Sequence, residues 1–252
     1  MSEPLPEDHV PPEDATRARF AATSWTNVLA AQQSGSAEAA AALEKLCATY
    51  WYPLYAYLRR KGSDPHQAQD LTQEFFYRLI KQNYLGAVDR SRGKFRSFLL
   101  AALNHFVSNQ RDHDRAAKRG GGHALISLDD EAAEHRFLSE PASKLSPEKI
   151  FERNWFLTLF DQAQAQLRAE LAATGRAELF DALKQFLIED AGEGEYDAIA
   201  TRVKMTPNAV AVTVHRWRDR YKKLLREEIL RTVADPAEIE DELHRFFAVL
   251  EK

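Results

Sequence analysis

Cysteine is nearly absent from this sequence, because Cys47 is the only one among its 252 residues. An intrachain disulfide is therefore impossible, and zinc modules that need several cysteines are excluded. Glycine and proline are sparse, with 10 of each, and β-branched runs are rare, which favours helices over strands. No run of about 18 apolar residues occurs, so a transmembrane helix is not expected. These absences predict an all-α protein whose simplest location is the cytoplasm.

Changes in composition along the chain predict two helical domains joined by a flexible linker. Residues 1–20 are acidic and rich in proline, so they are predicted to be disordered, and they lack the basic start and apolar run of a signal peptide. Apolar residues then recur at helical spacing across residues 21–119 and again across 147–252, which are the two predicted domains. The segment 120–146 between them is rich in glycine, acidic residues and proline, as is typical of a linker. The role of the tail 232–252 stays open.

Local signals indicate where several helices begin and where one should be disturbed. Asp64 and Ser146 are good N-cap residues, and each stands directly before a proline, which suits the first helical position. Pro53 lies inside the apolar pattern of residues 36–60. A proline in a helix interior removes a backbone hydrogen bond, so we expect that helix to kink or split there.

Positive charge is concentrated in two parts of an acidic chain. The formal net charge is −4, which argues against a protein that coats nucleic acid indiscriminately. Residues 89–119 nonetheless carry eight Lys and Arg against three Asp and Glu, and residues 202–231 carry nine against three. Two such blocks predict two separate contacts with a polyanion.

The second basic block has the spacing of a helix-turn-helix. Residues 195–203 and 207–230 are predicted helices, with Ala200 small enough for close crossing and Thr206 as the N-cap of the second helix. That helix would enter the major groove by its N-terminal half, with its later basic residues along the phosphates. An ordinary helical hairpin with a solvated basic face stays open as the alternative. The candidate DNA-binding residues are Thr206, Asn208, Ala211, Val212, His215, Arg216, Arg218, Arg220 and Lys222.

The first basic block has Lys and Arg residues at both ends of an aromatic-rich amphipathic helix. Strand opening needs positive charge to hold the DNA backbone and a platform for an unstacked base. We expect Phe95, Phe98 and Phe106 to lie in the core rather than against a base. The candidate DNA-binding residues here are Lys94, Arg96, Asn104, Asn109, Gln110, Arg111, Arg115, Lys118 and Arg119.

The run DPHQAQDLTQEFFYRLI at residues 64–80 resembles the region-two signature of bacterial RNA polymerase sigma factors. The following FRSFLLAALNHFVSNQRDHDRAAKR is similar to the promoter-melting and minus-ten recognition helix of that family. The helix-turn-helix at 195–223 resembles region four, which reads the minus-thirty-five element. With no region three between them, the order resembles the extracytoplasmic-function (ECF) subgroup. Lys204 stands where the family commonly has glycine, so the turn needs a residue that tolerates unusual φ, or a different turn.

The resemblance implies core RNA polymerase, through its β′ and β subunits, and promoter DNA as partners, and it leaves room for an anti-sigma factor. In the family the acidic helix docks on a coiled coil of the β′ subunit. Helical spacing alone instead directs Leu71, Phe75 and Leu79 inward and leaves an acidic outer face that suits a basic protein partner. By the resemblance, the polymerase-binding residues are Asp70, Leu71, Gln73, Glu74 and Phe75.

No pattern of catalytic or metal-binding residues accompanies these motifs. The histidines show no ligand spacing, and nothing arranges a nucleophile beside a base, so neither an enzyme activity nor a cofactor or metal is predicted. The main hypothesis is a sigma factor that directs promoter recognition and transcription initiation. One alternative is a helix-turn-helix regulator that does not bind core polymerase. Another is a helical adaptor whose basic blocks are solvated faces.

Overall fold

A computed structural model describes residues 37–81, 94–116, 130–140, 144–233 and 237–250. These residues form helices joined by turns, without a strand among them, which confirms the predicted all-α class. Within the described ranges, no helix is long and apolar enough to cross a membrane. A short 3₁₀ helix spans Lys184–Leu187. The α-helices are α1 (Ala37–Arg60), α2 (Pro65–Lys81), α3 (Phe95–Ala116), α4 (Asp130–Ser139), α5 (Pro147–Ala172), α6 (Ala177–Leu183), α7 (Glu195–Val203), α8 (Pro207–Leu230) and α9 (Glu238–Leu250).

The helix starts indicated by cap residues and prolines are confirmed. The Asp64 carboxylate accepts a hydrogen bond from the backbone N–H of Gln67 at 2.9 Å, and α2 begins at the next residue. The Ser146 hydroxyl accepts from the backbone N–H of Lys149 at 3.4 Å, and α5 begins at Pro147. In both places a side-chain oxygen satisfies an N–H that has no partner within the helix.

The expected break at Pro53 does not split the helix. Helix α1 runs from Ala37 to Arg60 with Pro53 in its interior. Every residue from 49 to 58 is buried, because α2, α4 and α5 all pack against this part of α1. Burial on several sides outweighs the cost of about 3 kcal/mol that a proline imposes on a helix interior.

Helices α1 and α5 pack side by side and join the two halves of the chain. Tyr50 stacks on Trp155 with ring centroids 6.3 Å apart, and Tyr57 meets Phe151 edge to face at 6.4 Å. The residue pairing shows that the helices run antiparallel, because later positions of α1 meet earlier positions of α5. Buried residues of both halves belong to one hydrophobic cluster. The two predicted domains therefore share a core in this structure, and α5 also contacts α6, α8 and α9.

Part of the predicted linker is a helix that packs on α1. In α4, the Glu134 carboxylate accepts hydrogen bonds from Arg59 Nη2 at 2.8 Å and Nε at 3.0 Å, and also from the Tyr55 hydroxyl. The hydrogen bonds from Arg59 hold the pKa of Glu134 below its usual value. Just after α4, Glu140 accepts from the Tyr52 hydroxyl at 2.5 Å. These pairs explain why an acidic segment without apolar periodicity lies against the core.

Candidate nucleic-acid interface

Helices α7 and α8 form the predicted helix-turn-helix. Ala200 is buried where the two helices approach, and its carbonyl accepts a hydrogen bond from the N–H of Met205 in the turn at 3.0 Å. The Thr206 hydroxyl accepts from the N–H of Ala209 at 3.2 Å and caps α8. Val210, Val214 and Trp217 are buried. The helix positions predicted from spacing, the cap and the inward stripe are thus confirmed.

Lys204 ends α7 in a left-handed conformation, with φ 56° and ψ 43°. It is the only non-glycine residue with positive φ in the described part of the chain. The turn therefore keeps the geometry that glycine favours, although a lysine occupies the position. In this conformation the Cβ of an L-residue lies too close to its own backbone, at a cost of about 1–2 kcal/mol.

Replacing Lys204 with glycine is expected to raise the free energy of unfolding by about 0.5–1 kcal/mol. Glycine removes the Cβ clash, although part of the gain is lost because glycine is more flexible in the unfolded chain. Urea denaturation followed by circular dichroism measures the change. Lys204→Ala is the matched control, because it removes the long side chain but keeps the Cβ, and it should not stabilise the protein. A Lys204→Gly protein less stable than the alanine variant would contradict this account.

One face of α8 is open at its N-terminal half. Asn208, His215 and Arg216 are exposed, Val212 is 42% exposed, and Ala211 is half-buried. His215 Nδ1 lies 3.5 Å from Asp219 Oδ2, so the two side chains pair when the imidazole is protonated. The first three turns of the helix therefore present a mixed polar and apolar surface, which is the composition that can read base edges and thymine methyl groups.

Two arginines further along α8 are occupied by the protein itself. Arg218 donates to the carbonyls of Phe186 at 2.6 Å and Glu189 at 2.5 Å, and it pairs with Asp190 at 2.7 Å. Arg220 makes a two-pronged contact with Glu170 of α5 at 2.6 and 2.9 Å. Both were predicted to contact phosphates, yet in this structure they hold α8 against neighbouring elements. Lys222, by contrast, is exposed.

The polar candidates on α3 have different surroundings. Asn104 accepts hydrogen bonds from the Tyr57 hydroxyl at 2.9 Å and from Lys61 at 3.1 Å, which ties it to α1 and the turn after it. Gln110 accepts a long contact of 3.4 Å from Arg78 of α2. Asn109 is exposed beside His105. Of these three amides, Asn109 is therefore the most accessible to a partner.

The aromatic residues of α3 lie where the sequence analysis expects them. Phe95 and Phe106 are buried, and Phe98 is half-buried against the core. Phe95 meets Tyr50 edge to face at 5.3 Å, and Phe106 lies 5.9 Å from Phe75. These rings hold α3 on α1 and α2.

Lys94 and Arg96, at the start of α3, point into the molecule instead of toward solvent. Arg96 is 4% exposed, and its Nη2 lies 2.7 Å from Glu242 Oε2 of α9. Lys94 pairs with the other oxygen of the same carboxylate. The two basic residues predicted to hold DNA at this end of α3 are therefore bound to the C-terminal helix.

Glu242 is not among the functional residues predicted from the sequence, although the sequence contains a signal for it. Ile239 and Leu243 pack against the core from one face of α9. Glu242 falls on that same face, because residues three and four apart on a helix lie side by side. A carboxylate among apolar positions is rarely buried without a cationic partner, so this pattern points to an internal ion pair.

The outer face of α2 is acidic, as predicted. Asp70 is exposed, and Leu71, Gln73 and Glu74 are half-buried, with Glu74 paired to Arg78 one turn later at 2.7 Å. Phe75 differs from the assignment made through the resemblance. It is 4% exposed and packs on Phe76 and Phe106, so its side chain does not share the surface of Asp70.

The structure describes α3 as far as Ala116. Arg111 and Arg115 belong to the last turns of α3, whereas Lys118 and Arg119 lie outside the described residues. The predicted disordered N-terminus and residues 120–129 of the predicted linker also lie outside the described residues. Among the residues that are described, no group of three or more His, Cys, Asp or Glu side chains is arranged to hold a metal ion.

Comparison with known families identifies the family of the chain. A family model described as "ECF sigma factor" matches residues 22–188, which include α1 to α6 and end before the helix-turn-helix of α7 and α8. Comparisons with curated proteins and with solved structures found no match. The matched segment covers well over half of the sequence and contains the acidic face of α2 and the whole of α3. The chain therefore belongs to the ECF sigma factor family, whose members act in transcription initiation.

Proposed function

We propose that this sigma factor docks on core RNA polymerase through the outer face of α2 and directs it to promoters with two DNA-contacting helices. In this proposal α3 engages the minus-ten element and α8 reads the minus-thirty-five element. The protein itself contributes recognition and no catalytic group. Recruitment of the polymerase to a start site is the mechanism.

The observation that carries the proposal is the division of α2 into two faces. Phe75, Phe76 and Leu79 are buried against α1 and α3, whereas Asp70 is exposed on the opposite side. Gln73 and Glu74 flank it and remain partly accessible. An acidic face on a helix fixed by its aromatic side suits a basic protein surface, because charge complementarity steers and orients the encounter.

The outer face of α8 supports the DNA-contacting role. Asn208, His215 and Arg216 are exposed on a helix whose opposite side is anchored by Val214 and Trp217. Such a helix can enter a major groove without disturbing the core. It lies in a block of positive charge, which supplies the attraction to phosphate that precedes base recognition.

Transcription in vitro with sigma-free core polymerase and a library of promoter fragments tests the proposal. The purified chain is expected to bind the core enzyme and to select a common sequence with two separated elements among the transcribed fragments. If the chain binds DNA but not the core enzyme, it is a conventional helix-turn-helix regulator and the proposed docking is wrong. If it binds neither, the docking role and both DNA roles are wrong.

Replacing Asp70 with lysine is expected to weaken binding to core polymerase by about threefold to tenfold. The substitution reverses an exposed charge on the proposed docking face, which lowers the rate of association and its dependence on salt. Titration of fluorescently labelled core enzyme at two salt concentrations measures it. Glu44→Lys is the matched control, because Glu44 is an exposed acidic residue on α1 and its reversal changes the net charge equally. Equal affinities of the two variants would contradict the assigned face.

A further inference from the structure

A single carboxylate links the C-terminal helix to the start of α3. Glu242 is completely buried, and three cationic side chains surround it. Lys94 contacts one oxygen and Arg96 Nη2 lies 2.7 Å from the other, whereas Arg245 Nη1, one turn along α9, lies 3.7 Å away. These four residues form the Glu242 cluster. It connects parts of the chain that are 148 residues apart.

Arg96 is held on its other side by aromatic rings. Its guanidinium carbon lies 4.5 Å from the ring centroid of Trp155 and 5.9 Å from that of Phe156, both on α5. A guanidinium over an aromatic face is attracted by the electron-rich ring. Arg96 is thus positioned by α5, with its Nη2 2.7 Å from Glu242 Oε2. Glu152 Oε1, at 3.8 Å from Arg96 Nε, is a second and more exposed acidic neighbour.

A phosphate would interact with these cations in the same way as Glu242 does. Arginine binds carboxylate and phosphate through the same planar set of donors, and lysine binds either as a point charge. A buried carboxylate is stable only while cations pair with it. A phosphate reaching Lys94 and Arg96 must therefore displace Glu242, and the cluster cannot hold both anions in the same place.

Among the α9 side chains that the structure describes, which end at Arg245, the other attachments do not replace the Glu242 cluster. Arg226 of α8 pairs with Glu240 at 2.7 Å, but both side chains are more than half exposed. Exposed ion pairs contribute little, because water and salt screen them. Ile239 and Leu243 are partly buried and pack against the core. Loss of the Glu242 pairing is therefore expected to loosen the described part of α9, from Glu238 to Arg245.

We propose that α9 is an internal competitor of DNA, in which the Glu242 carboxylate occupies the phosphate-binding position of Lys94 and Arg96. The inference rests on the proposed function, because it takes these two residues as DNA contacts of α3. It assigns a role to the tail 232–252: the free chain binds DNA weakly at α3 until α9 moves away. Release of α9 and binding of the DNA backbone are coupled, because a phosphate replaces the Glu242 carboxylate beside Lys94 and Arg96.

Replacing Glu242 with glutamine tests the exchange in the full-length protein. Fluorescence anisotropy with a mixed-sequence DNA duplex, read over a range of salt concentrations, is the measurement. E242Q is expected to bind at least threefold more tightly than the original chain. The slope of log affinity against log salt should steepen by about 2, because two additional cations then contact phosphates. E240Q is the matched control, since it removes the same charge from the exposed side of the same helix and should change neither quantity.

The change in slope separates competition from simple damage, because a destabilised protein would lose affinity without gaining phosphate contacts. Equal affinity and slope for E242Q, E240Q and the original chain would overturn the proposal. If E242Q does not fold, hydrogen exchange on the original chain decides: DNA should accelerate exchange in residues 238–250, and unchanged exchange would refute the competition. Neither measurement needs polymerase. If the chain shows both effects but does not direct transcription, only the proposed function is wrong. If it directs transcription but shows neither effect, only this inference is wrong.

Discussion

The free energy of unfolding of the Trp155→Ala variant is expected to be about 3–5 kcal/mol lower than that of the original chain, and both halves of the variant should unfold in the same transition. Trp155 is fully buried in α5 and stacks on Tyr50 of α1. It also lies against Phe156 at 4.6 Å and beneath Arg96. Truncating a buried tryptophan removes its apolar contacts and leaves a cavity, which together give a loss of this size.

Urea denaturation distinguishes a shared core from two independent domains. Circular dichroism reports all helices, and hydrogen exchange read separately for α2 and α8 reports each half. If α1 and α5 form one core, both probes should shift to the same lower midpoint in Trp155→Ala. Leu138→Ala is the control, because Leu138 is exposed and its truncation should leave the midpoint unchanged. Two separate transitions, with only the α8 transition shifted, would instead support the two-domain organisation that the sequence predicts.

Features governed by neighbouring residues could be predicted from the sequence. The caps at Asp64, Ser146 and Thr206 each depend on a hydroxyl or carboxylate and on an N–H three residues later. The inward stripe of α8 follows from helical spacing alone. Lys204 could be singled out through the resemblance, because the family commonly has glycine there, but the choice between positive φ and a different turn needed the structure.

The packing of α1 on α5 depends on residues that are distant in sequence, and its signal was weaker. The run from Tyr50 to Leu58 is apolar on all sides of its helix, and each of its residues is buried. A helix of this kind needs neighbours all around it. This pattern is a signal for a central helix, but it does not indicate which helix covers each side of α1.

The partners of the charged residues were the least predictable part of the site. Lys94, Arg96, Arg218 and Arg220 all belong to basic blocks, and a basic block in a sequence resembles a surface for DNA. In the structure each contacts an acidic side chain or a carbonyl from another element. Those partners are brought close only by the tertiary fold. The sequence therefore shows where positive charge is concentrated, but it does not show which partner each charged residue contacts.

Arg216 and Arg218 lie two residues apart on α8, and their replacements are expected to have different effects. Arg216→Ala should weaken recognition of the upstream promoter element by roughly tenfold to a hundredfold, equivalent to about 1–3 kcal/mol, without changing stability. Arg216 is exposed at the proposed groove-facing surface, so its truncation leaves the core intact. The affinity of the holoenzyme for a promoter selected from the library, with and without its upstream element, measures the effect.

Arg218→Ala should instead lower the free energy of unfolding by about 1–3 kcal/mol, because the Phe186 and Glu189 carbonyls lose a charged donor. Arg218→Lys is the decisive companion. Lysine keeps the positive charge but cannot reach two carbonyls and Asp190 with the fixed donor geometry of a guanidinium. A residue that only binds phosphate would tolerate lysine, whereas a residue that anchors α8 to the segment after the 3₁₀ helix would not. Lower stability of both Arg218 variants, beside unchanged stability and weakened promoter recognition of Arg216→Ala, would establish that α8 is positioned by one arginine and reads DNA with the other. Full stability of Arg218→Lys together with weakened DNA binding would instead make Arg218 a phosphate contact.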